Sequence, residues 1–362
     1  MGLILFAGHL PDALIFKQKQ RFLANFGDFL FAGHLLKTKD SMQLILNAKH
    51  FISCDTVTET KKENIKTMPK VLNYGSISID IIYSVPHIVK NGETITVDKV
   101  EISAGGKGAN QSTAFAKAGL EIYNAGKLGK NGLHLIGILK SFNVDTSLMV
   151  VTDDDETGKA IIQVDREGNN AIFIAPADNR KITEEEIDNA FKQFEAGDYL
   201  ILQNEINNLD YLIRRAHEKG MKICINPAPF DERINKLPLE LVDIIIANEI
   251  EGLGLSGCKE DSTFDEILEA LVKKFPQAEI VMTVGDKGSY YGYKNERIHQ
   301  DIFPVEVVDT TAAGDTFIGY FLASKLQGLS IAKCLEYASK ASSITVTRVG
   351  AMKAIPTKDE VF

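Results

Sequence analysis

The strongest chemical signal in the sequence is a run of small residues that ends near a carboxylate, Asp309-Thr-Thr-Ala-Ala-Gly-Asp-Thr-Phe317. A strand-like stretch precedes the run at 303–308, and a helical pattern follows at 317–326. Small residues at a helix start leave backbone N–H groups unobstructed, and the helix dipole adds partial positive charge there. The run therefore predicts a site for an anion such as a phosphoryl group. Asp315 would be either a helix cap or a base for an attacking hydroxyl, and the residues alone leave both open.

A second glycine-rich junction, Ser103-Ala-Gly-Gly-Lys-Gly-Ala-Asn110, joins a predicted strand to an Ala-rich predicted helix. Glycine lets the backbone approach a ligand closely. Lys107 and Asn110 are three residues apart, so their side chains face the same side of the first helical turn. This spacing favours hydrogen bonding to a polyol, with a helix start carrying incidental polar residues as the alternative.

Polar residues also lie at or just past the ends of predicted strands: Asp80, Glu205, Asn226, Asn248 and Thr283. In open parallel sheets, ligands bind outside the carboxyl ends of the strands. Asn248 and Glu251 share one face if a helix begins there, and together with phosphates they could organise Mg²⁺ and its water shell. An exposed helix turn is the simpler explanation of that pair taken alone.

Strands and helices alternate along the second half of the chain. Predicted strands lie at 199–202, 222–226, 242–247 and 279–284, and predicted helices at 184–195, 209–219 and 265–274. Further strands are predicted at 71–80, 95–103, 157–164 and 170–175, and a helix at 107–118. This order predicts an α/β fold with a doubly wound, mostly parallel sheet and helices on both faces.

Composition excludes several functional classes. The chain has 362 residues, 44% of them hydrophobic and 25% charged, which is ordinary for a globular protein of one or two domains. The net charge of −9 disfavours binding to nucleic acid. The four cysteines are scattered without a CxxC pair, which argues against a structural zinc site and favours a reducing cytoplasm. The sequence contains no run of about 18 apolar residues, so no membrane-spanning helix is predicted.

Other catalytic motifs receive little support. The sequence has no Walker A motif and no nucleophile elbow with matching His and Asp. It does contain a GxGxxG match at 252–257, but no strand directly precedes this match, so we interpret it as chance rather than as a dinucleotide site.

Residues 1–67 differ in character from the remainder, being weakly basic where the rest of the chain is acidic. Met68 is preceded by a Lys-Lys-Glu stretch whose codons can resemble a bacterial ribosome-binding sequence. We therefore expect that translation starts at Met68 and that 1–67 is a leader or an added extension, with 68–362 forming the functional domain. A DNA-binding helix-turn-helix in 1–67 is the less favoured alternative.

In order and spacing, these motifs resemble the ribokinase/PfkB family of sugar kinases over about residues 70–358. The matching stretches are Gly75-Ser-Ile-Ser-Ile-Asp80, Gly105-Gly-Lys-Gly-Ala-Asn110, Asn226-Pro-Ala-Pro229, Asn248-Glu-Ile-Glu251, Thr283-Val-Gly-Asp-Lys-Gly288, the 309–315 run and Val346-Thr-Arg-Val-Gly-Ala351. The resemblance implies ATP-dependent phosphorylation of a sugar hydroxymethyl group, with ATP and Mg²⁺ as cofactors.

The resemblance also implies roles for individual residues. Asp315 would be the catalytic base, and the backbone of Ala312, Ala313 and Gly314 the anion hole. The sugar would contact Ser78, Asp80, Gly105, Gly106, Lys107, Asn110 and Glu205. The nucleotide would contact Asn248, Thr283, Gly285, Gly288 and Ser339, and Glu251 would organise Mg²⁺. A monovalent cation such as K⁺ would bind near Asp309, Thr311, Thr345, Arg348 and Gly350.

The half-exposed strands resemble the family's β lid, at about 82–104 and 157–176, which covers the sugar and often pairs across a homodimer. Ser78 stands where ribokinases commonly carry Asn, so the sugar is left open. Ribose or a related pentose is the favoured candidate substrate, followed by a ketohexose, a deoxy-sugar acid or a nucleoside. A sugar-sensing regulator without turnover is the non-enzymatic alternative.

Overall fold

A computed structural model of the protein describes residues 68–362, so the hypotheses about 1–67 lie outside the described residues. The strands are β1 (Val71–Tyr74), β2 (Ser78–Ser84), β3 (Lys99–Gly105), β4 (Tyr123–Gly129), β5 (Asp145–Thr152), β6 (Gly158–Val164), β7 (Asn170–Ala175), β8 (Tyr199–Gln203), β9 (Lys222–Asn226), β10 (Ile244–Asn248), β11 (Glu279–Thr283), β12 (Ser289–Tyr293) and β13 (Glu296–Gln300). The helices are α1 (Lys107–Lys117), α2 (Leu133–Ser141), α3 (Glu184–Phe191), α4 (Leu209–Glu218), α5 (Glu249–Ser256), α6 (Phe264–Lys274), α7 (Ala313–Leu326), α8 (Ile331–Val346) and α9 (Lys358–Val361).

The larger sheet has nine strands in the order β13-β12-β11-β10-β9-β8-β1-β4-β5. The strands from β5 to β11 in this order pair in parallel, and β12 and β13 close one edge as an antiparallel hairpin. Central strands such as β8 and β10 are unbroken apolar runs because both faces are covered. All carboxyl ends of the parallel strands therefore lie along one edge, where a ligand can bind.

Helices cover both faces of this sheet. On one face, α3, α4 and α6 pack their apolar side chains into a single core cluster. On the other face, α1, α2, α7 and α8 form the second cluster, which includes the fully buried Tyr320 and Phe321. The predicted doubly wound architecture is therefore what the chain adopts.

A separate four-stranded sheet has the order β3-β2-β6-β7 and forms the lid. Its central pair, β2 and β6, is parallel, and its outer pairs are antiparallel. One face carries exposed apolar side chains, among them Val100, Ile102 and Phe173. The lid thus contains one more strand than the three half-exposed stretches in the sequence suggested.

Some predicted elements were wrong in extent or existence. The strand predicted at 71–80 divides into β1 and β2, because Gly75-Ser-Ile77 carries the chain from the main sheet into the lid. The strand predicted at 303–308 is absent: Val305, Val307 and Val308 are exposed. The helix after it begins at Ala313 rather than at 317. No helix in the described part of the chain is both long and apolar enough to span a bilayer.

Candidate active site

A cleft of about 230 Å³ lies at the carboxyl ends of β9, β10 and β11. The starts of α1 and α7 and the first turn of α5 close its other sides. Nine of the residues singled out from the sequence line it: Lys107, Asn226, Asn248, Glu251, Thr283, Ala312, Ala313, Gly314 and Asp315. Residues more than 200 positions apart in the chain therefore meet at one place, as parallel strands with helical connections require.

Asp315 lies in the first turn of α7 and is only 7% exposed. Its Oδ2 accepts a hydrogen bond from Asn110 Nδ2, and its Oδ1 accepts one from Gln111 Nε2, both at 3.0 Å. No side-chain cap is formed at this helix start. The carboxylate therefore lies in the cleft with one amide donor on each oxygen, and these bonds hold it in place.

The backbone at the start of α7 is arranged to receive an anion. Ala312 precedes the helix in the left-handed conformation, with φ of 61°. Ala313 N–H donates to the Thr310 carbonyl at 3.2 Å, but within the described residues the N–H groups of Ala312 and Gly314 have no protein acceptor. Space is open beside Gly314, since no heavy atom lies within 4 Å of where a Cβ would be. Two of the three expected donors are thus free for a ligand.

Lys107 opens α1 on the opposite side of the cleft. Burial alone would lower the pKa of its ammonium group, but the charges of Asp315, Glu205 and Glu251 outweigh burial and raise the pKa. Lys107 is thus a firmly charged group among three carboxylates. Such a cation neutralises the cleft and attracts anionic ligands.

Asp80 and Glu205 lie beyond Lys107, towards the lid. Ser78 Oγ donates to Asp80 Oδ1 at 2.7 Å, while Lys107 N–H donates to Glu205 Oε2 at 3.2 Å. Burial, together with the nearby charge of Glu205, raises the pKa of Asp80 to about 6, although the Ser78 bond opposes this. A Cβ on Gly105 would lie 1.9 Å from Asp80 Oδ2, so only glycine leaves room for this carboxylate.

Gly106 joins this second group at the β3–α1 junction. Its φ is +96°, and a Cβ there would lie 2.8 Å from the Ser76 carbonyl oxygen. The side chain of Ser76, in turn, donates to Glu205. The glycines therefore let the backbone pass closely beside the polar group formed by Asp80 and Glu205.

Asn248 and Glu251 form a reciprocal capping box at the start of α5. Glu251 is 5% exposed, so the exposed helix turn considered from the sequence is wrong. Its Oε2 accepts from Asn248 N–H at 2.9 Å and from Asn226 Nδ2 at 3.2 Å. Within the described residues, its Oε1 accepts no hydrogen bond. Burial raises the pKa of this carboxyl, with the hydrogen bonds and Lys107 acting against it.

Three of the residues assigned to the nucleotide do not line the cleft. Gly285 and Gly288 lie in the turn after β11, where Gly288 has φ of +82° and a Cβ would lie 2.0 Å from the Gln300 carbonyl oxygen. Ser339 lies half-buried within α8. The GxGxxG match at 252–257 is the body and end of α5, not a phosphate loop.

The residues assigned to a monovalent cation meet only in part. Asp309 Oδ1 accepts from the N–H and hydroxyl of Thr311, and Asp309 Oδ2 accepts from Gly350 N–H at 2.8 Å. Burial acts to raise the pKa of Asp309, but these hydrogen bonds prevail and lower it. The side chain of Thr345 bonds instead to Thr316 and the Ala341 carbonyl, and Arg348 bonds to Glu360.

The sequence that forms this site is similar to those of known proteins. Residues 68–358 match the family described as pfkB family carbohydrate kinase. The chain belongs to this family. Ribokinase from Staphylococcus aureus (strain COL) is 34% identical over 307 residues, covering 81% of this chain and 98% of the relative. The family match confirms the predicted fold and identifies the protein as an enzyme that phosphorylates a carbohydrate hydroxyl.

Two solved structures extend this likeness. Ribokinase from Cryptococcus neoformans var. grubii serotype A in complex with ADP has a TM-score of 0.72 at 29% identity, covering 81% of this chain and 98% of that one. Ribokinase from Arabidopsis thaliana complexed with ribose and ATP has a TM-score of 0.71 at 28% identity, covering 81% and 97%. The kinase therefore shares its architecture with enzymes solved with nucleotide and sugar.

The sequence analysis missed the buried amides behind the cleft of this kinase. Gln111 contacts Asp315, and Gln203 donates to both Gln111 Oε1 and Asn73 Oδ1. All three amides are at most 1% exposed. A signal was present, because Asn73 and Gln203 are polar residues within otherwise apolar strands and Gln111 directly follows Asn110.

Proposed function

We propose that this chain is an ATP-dependent kinase that transfers the γ-phosphoryl group of ATP to the hydroxymethyl group of ribose or a related pentose. The observation that carries the proposal is the place of Asp315, buried beside the free N–H groups of Ala312 and Gly314. The relatives named ribokinase, one of them complexed with ribose and ATP, support the substrate class.

In the proposed mechanism, Asp315 takes the proton from the attacking sugar hydroxyl. Asn110 and Gln111 hold the carboxylate in place, each through a hydrogen bond of 3.0 Å. The free N–H groups of Ala312 and Gly314 stabilise the charge that develops on the transferred group, and Lys107 adds a positive charge nearby. Phosphoryl transfer needs mainly such positioning and charge stabilisation.

The sugar is proposed to lie between this cleft and the lid, against Ser78, Asp80, Gly105, Gly106, Lys107, Asn110 and Glu205. Asn110 Oδ1 is buried and accepts no hydrogen bond within the described chain, which leaves an acceptor for a ligand hydroxyl. Carboxylates at Asp80 and Glu205 suit hydroxyl donors and repel anions. These features favour an uncharged polyol over a sugar acid.

ATP is proposed to lie against Asn248, Thr283, Gly285, Gly288 and Ser339. The described residues hold no cluster of three His, Cys, Asp or Glu side chains that could ligate a metal. Mg²⁺ would therefore take its ligands largely from phosphate oxygens and water, which is its usual preference. The free Oε1 of Glu251 fits a role in holding that water shell, and the bound ion would neutralise phosphate charge.

The same proposal covers a monovalent cation site, the oligomeric state and the cellular location. K⁺ is proposed at the turn that Asp309, Thr311 and Gly350 form. A homodimer is proposed through the lid, supported by its exposed apolar face, and the cytoplasm is the proposed location. Residues 68–362 are proposed as the whole kinase domain.

The test is an ADP-release assay with Mg²⁺ and ATP across pentoses, ketohexoses, deoxy-sugar acids and nucleosides, each with K⁺ and with Na⁺. We expect turnover with a pentose. Asp315→Ala should lower that turnover at least ~10³-fold, because general-base catalysis contributes up to about 10⁴-fold. Calorimetric sugar binding to the variant should persist. ATP binding without turnover on any sugar would instead favour a sensing role.

A further inference from the structure

Two buried amides bridge two carboxylates of the cleft. Gln111 Nε2 donates to Asp315 Oδ1 at 3.0 Å and to Asn226 Oδ1 at 3.4 Å. Asn226 Nδ2 donates to Glu251 Oε2 at 3.2 Å and to the Ile246 carbonyl at 2.9 Å. Each amide therefore uses both of its N–H groups, and the pair connects Asp315 to Glu251 without a gap.

Gln203 fixes which way the first amide is turned. Its Nε2 donates to Gln111 Oε1 at 2.8 Å and to Asn73 Oδ1 at 2.9 Å. Asn73 Nδ2 donates in turn to the Gly108 carbonyl at 2.8 Å, which anchors the chain of amides on the backbone of α1. Because Gln111 Oε1 is engaged in this way, only its N–H groups can face Asp315.

Three charged groups of the cleft interact around this pair of amides. The ammonium group of Lys107, at the start of α1, attracts both Asp315 and Glu251, and the two carboxylates repel each other. These forces would displace the side chains unless hydrogen bonds opposed them. An N–H donor to each carboxylate fixes its position.

We propose that Gln111 and Asn226 are a positioning pair, which holds Asp315 and Glu251 at a fixed separation. The proposal rests on the role of Asp315 as the base in the function proposed above. Gln111 acts through Asp315, so its loss lowers kcat more than it weakens the binding of the sugar.

The test is Gln111→Met in the full-length protein, since this change keeps the length of the side chain, removes both N–H groups and adds no charge beside Asp315. We expect kcat at pH 7 to fall by about 10–100-fold because the base is no longer held in place, while the calorimetric sugar affinity stays within about threefold.

Two further variants keep the test decisive. Thr113→Val is the matched control, because it removes a buried bond of the same helix, Thr113 Oγ1 to the Ala109 carbonyl at 2.9 Å, away from both carboxylates. It should retain the wild-type kcat. Asn226→Leu approaches the pair from β9, so a folding failure of Gln111→Met leaves the proposal testable, and it should lower kcat with sugar affinity retained.

The possible outcomes distinguish a failure of the positioning pair from a failure of the proposed function. A wild-type kcat in Gln111→Met, an equal loss of kcat in Thr113→Val, or a wild-type kcat in Asn226→Leu would overturn the positioning pair. Turnover that survives in Asp315→Asn would overturn the base itself and with it the proposed function.

Discussion

Replacing Asp80 with Asn should make the kinase more stable and at the same time impair its sugar binding. Burial and the charge of Glu205 raise the pKa of Asp80 from 3.8 to about 6. At 1.36 kcal/mol per pH unit, this shift means that the charged form is disfavoured in the folded state by about 3 kcal/mol. Because the side chain is partly exposed, solvent screening reduces the expected gain to about 2 kcal/mol.

The sign of the effect depends on pH. Below pH 3.8 the carboxyl is protonated in both the folded and the unfolded states, and no penalty exists. The penalty grows between pH 3.8 and about 6 and is complete above that, so the gain from Asp80→Asn should be full at pH 7.5 and small near pH 4. The neutral amide still accepts the Ser78 hydrogen bond, which isolates the effect of charge.

Thermal unfolding at pH 7.5 and pH 4.5, with calorimetric sugar titration at pH 7.5, measures both consequences. We expect Tm to rise by about 4 °C at pH 7.5 for a domain of this size. Sugar affinity should fall about 10–100-fold as a charged acceptor is lost. Asp301→Asn, which removes a carboxylate that is 90% exposed, is the control and should change neither. A Tm at pH 7.5 that is unchanged or lower in Asp80→Asn would refute the reasoning.

Changes in the sugar site, in two glycines and at the N-terminus test the remaining parts of the site and fold. Lys107→Met and Asn110→Ala should each weaken sugar binding by about 1–3 kcal/mol in calorimetry, and unchanged affinity in both would place the sugar elsewhere. Gly108→Ala should destabilise the protein by about 2–3 kcal/mol in chemical denaturation, since its Cβ would lie 2.6 Å from the Gly75 backbone carbon. Gly137→Ala, with no atom within 4 Å, should instead be neutral or stabilising by up to about 1 kcal/mol. A chain that starts at Met68 should keep its turnover within about twofold, and loss of activity would assign residues 1–67 a part in the kinase.

The sequence predicted elements best where burial and periodicity agreed. β9 was predicted at the bounds that it has, because an apolar run is stopped there by proline. β4 was missed, since two glycines and the buried Lys127 interrupt its apolar pattern. Lys127 is accommodated because its ammonium group donates to Glu186 at 2.8 Å and to the Lys181 carbonyl at 2.9 Å. The valines at 303–308 mimic a strand, but no neighbouring strand pairs with them. Such pairing depends on tertiary contacts that a local pattern does not contain.

The residues of the site, like the strands, were predictable from the sequence only in part. Lys107, Glu251 and Asp315 were recognisable because each occupies a distinctive junction, and the structure brings all three to one cleft. The supporting amides Gln111 and Gln203 were not recognisable, because their importance depends on partners 92 or more residues away in the chain. Motifs thus show which residues line the cleft, whereas the residues behind them emerge only from packing.

The attachment of the lid has an evolutionary consequence. Ser78 and Asp80 lie on a lid strand, whereas Glu251 and Asp315 lie on helices of the main body. Substitutions in β2, β3, β6 and β7 can therefore accumulate without displacing the groups proposed to transfer phosphate. A protein lineage with this division can acquire new substrates through changes in the lid, while its phosphoryl-transfer chemistry stays unchanged. Laboratory selection for altered sugar preference should therefore find productive mutations in the lid strands first.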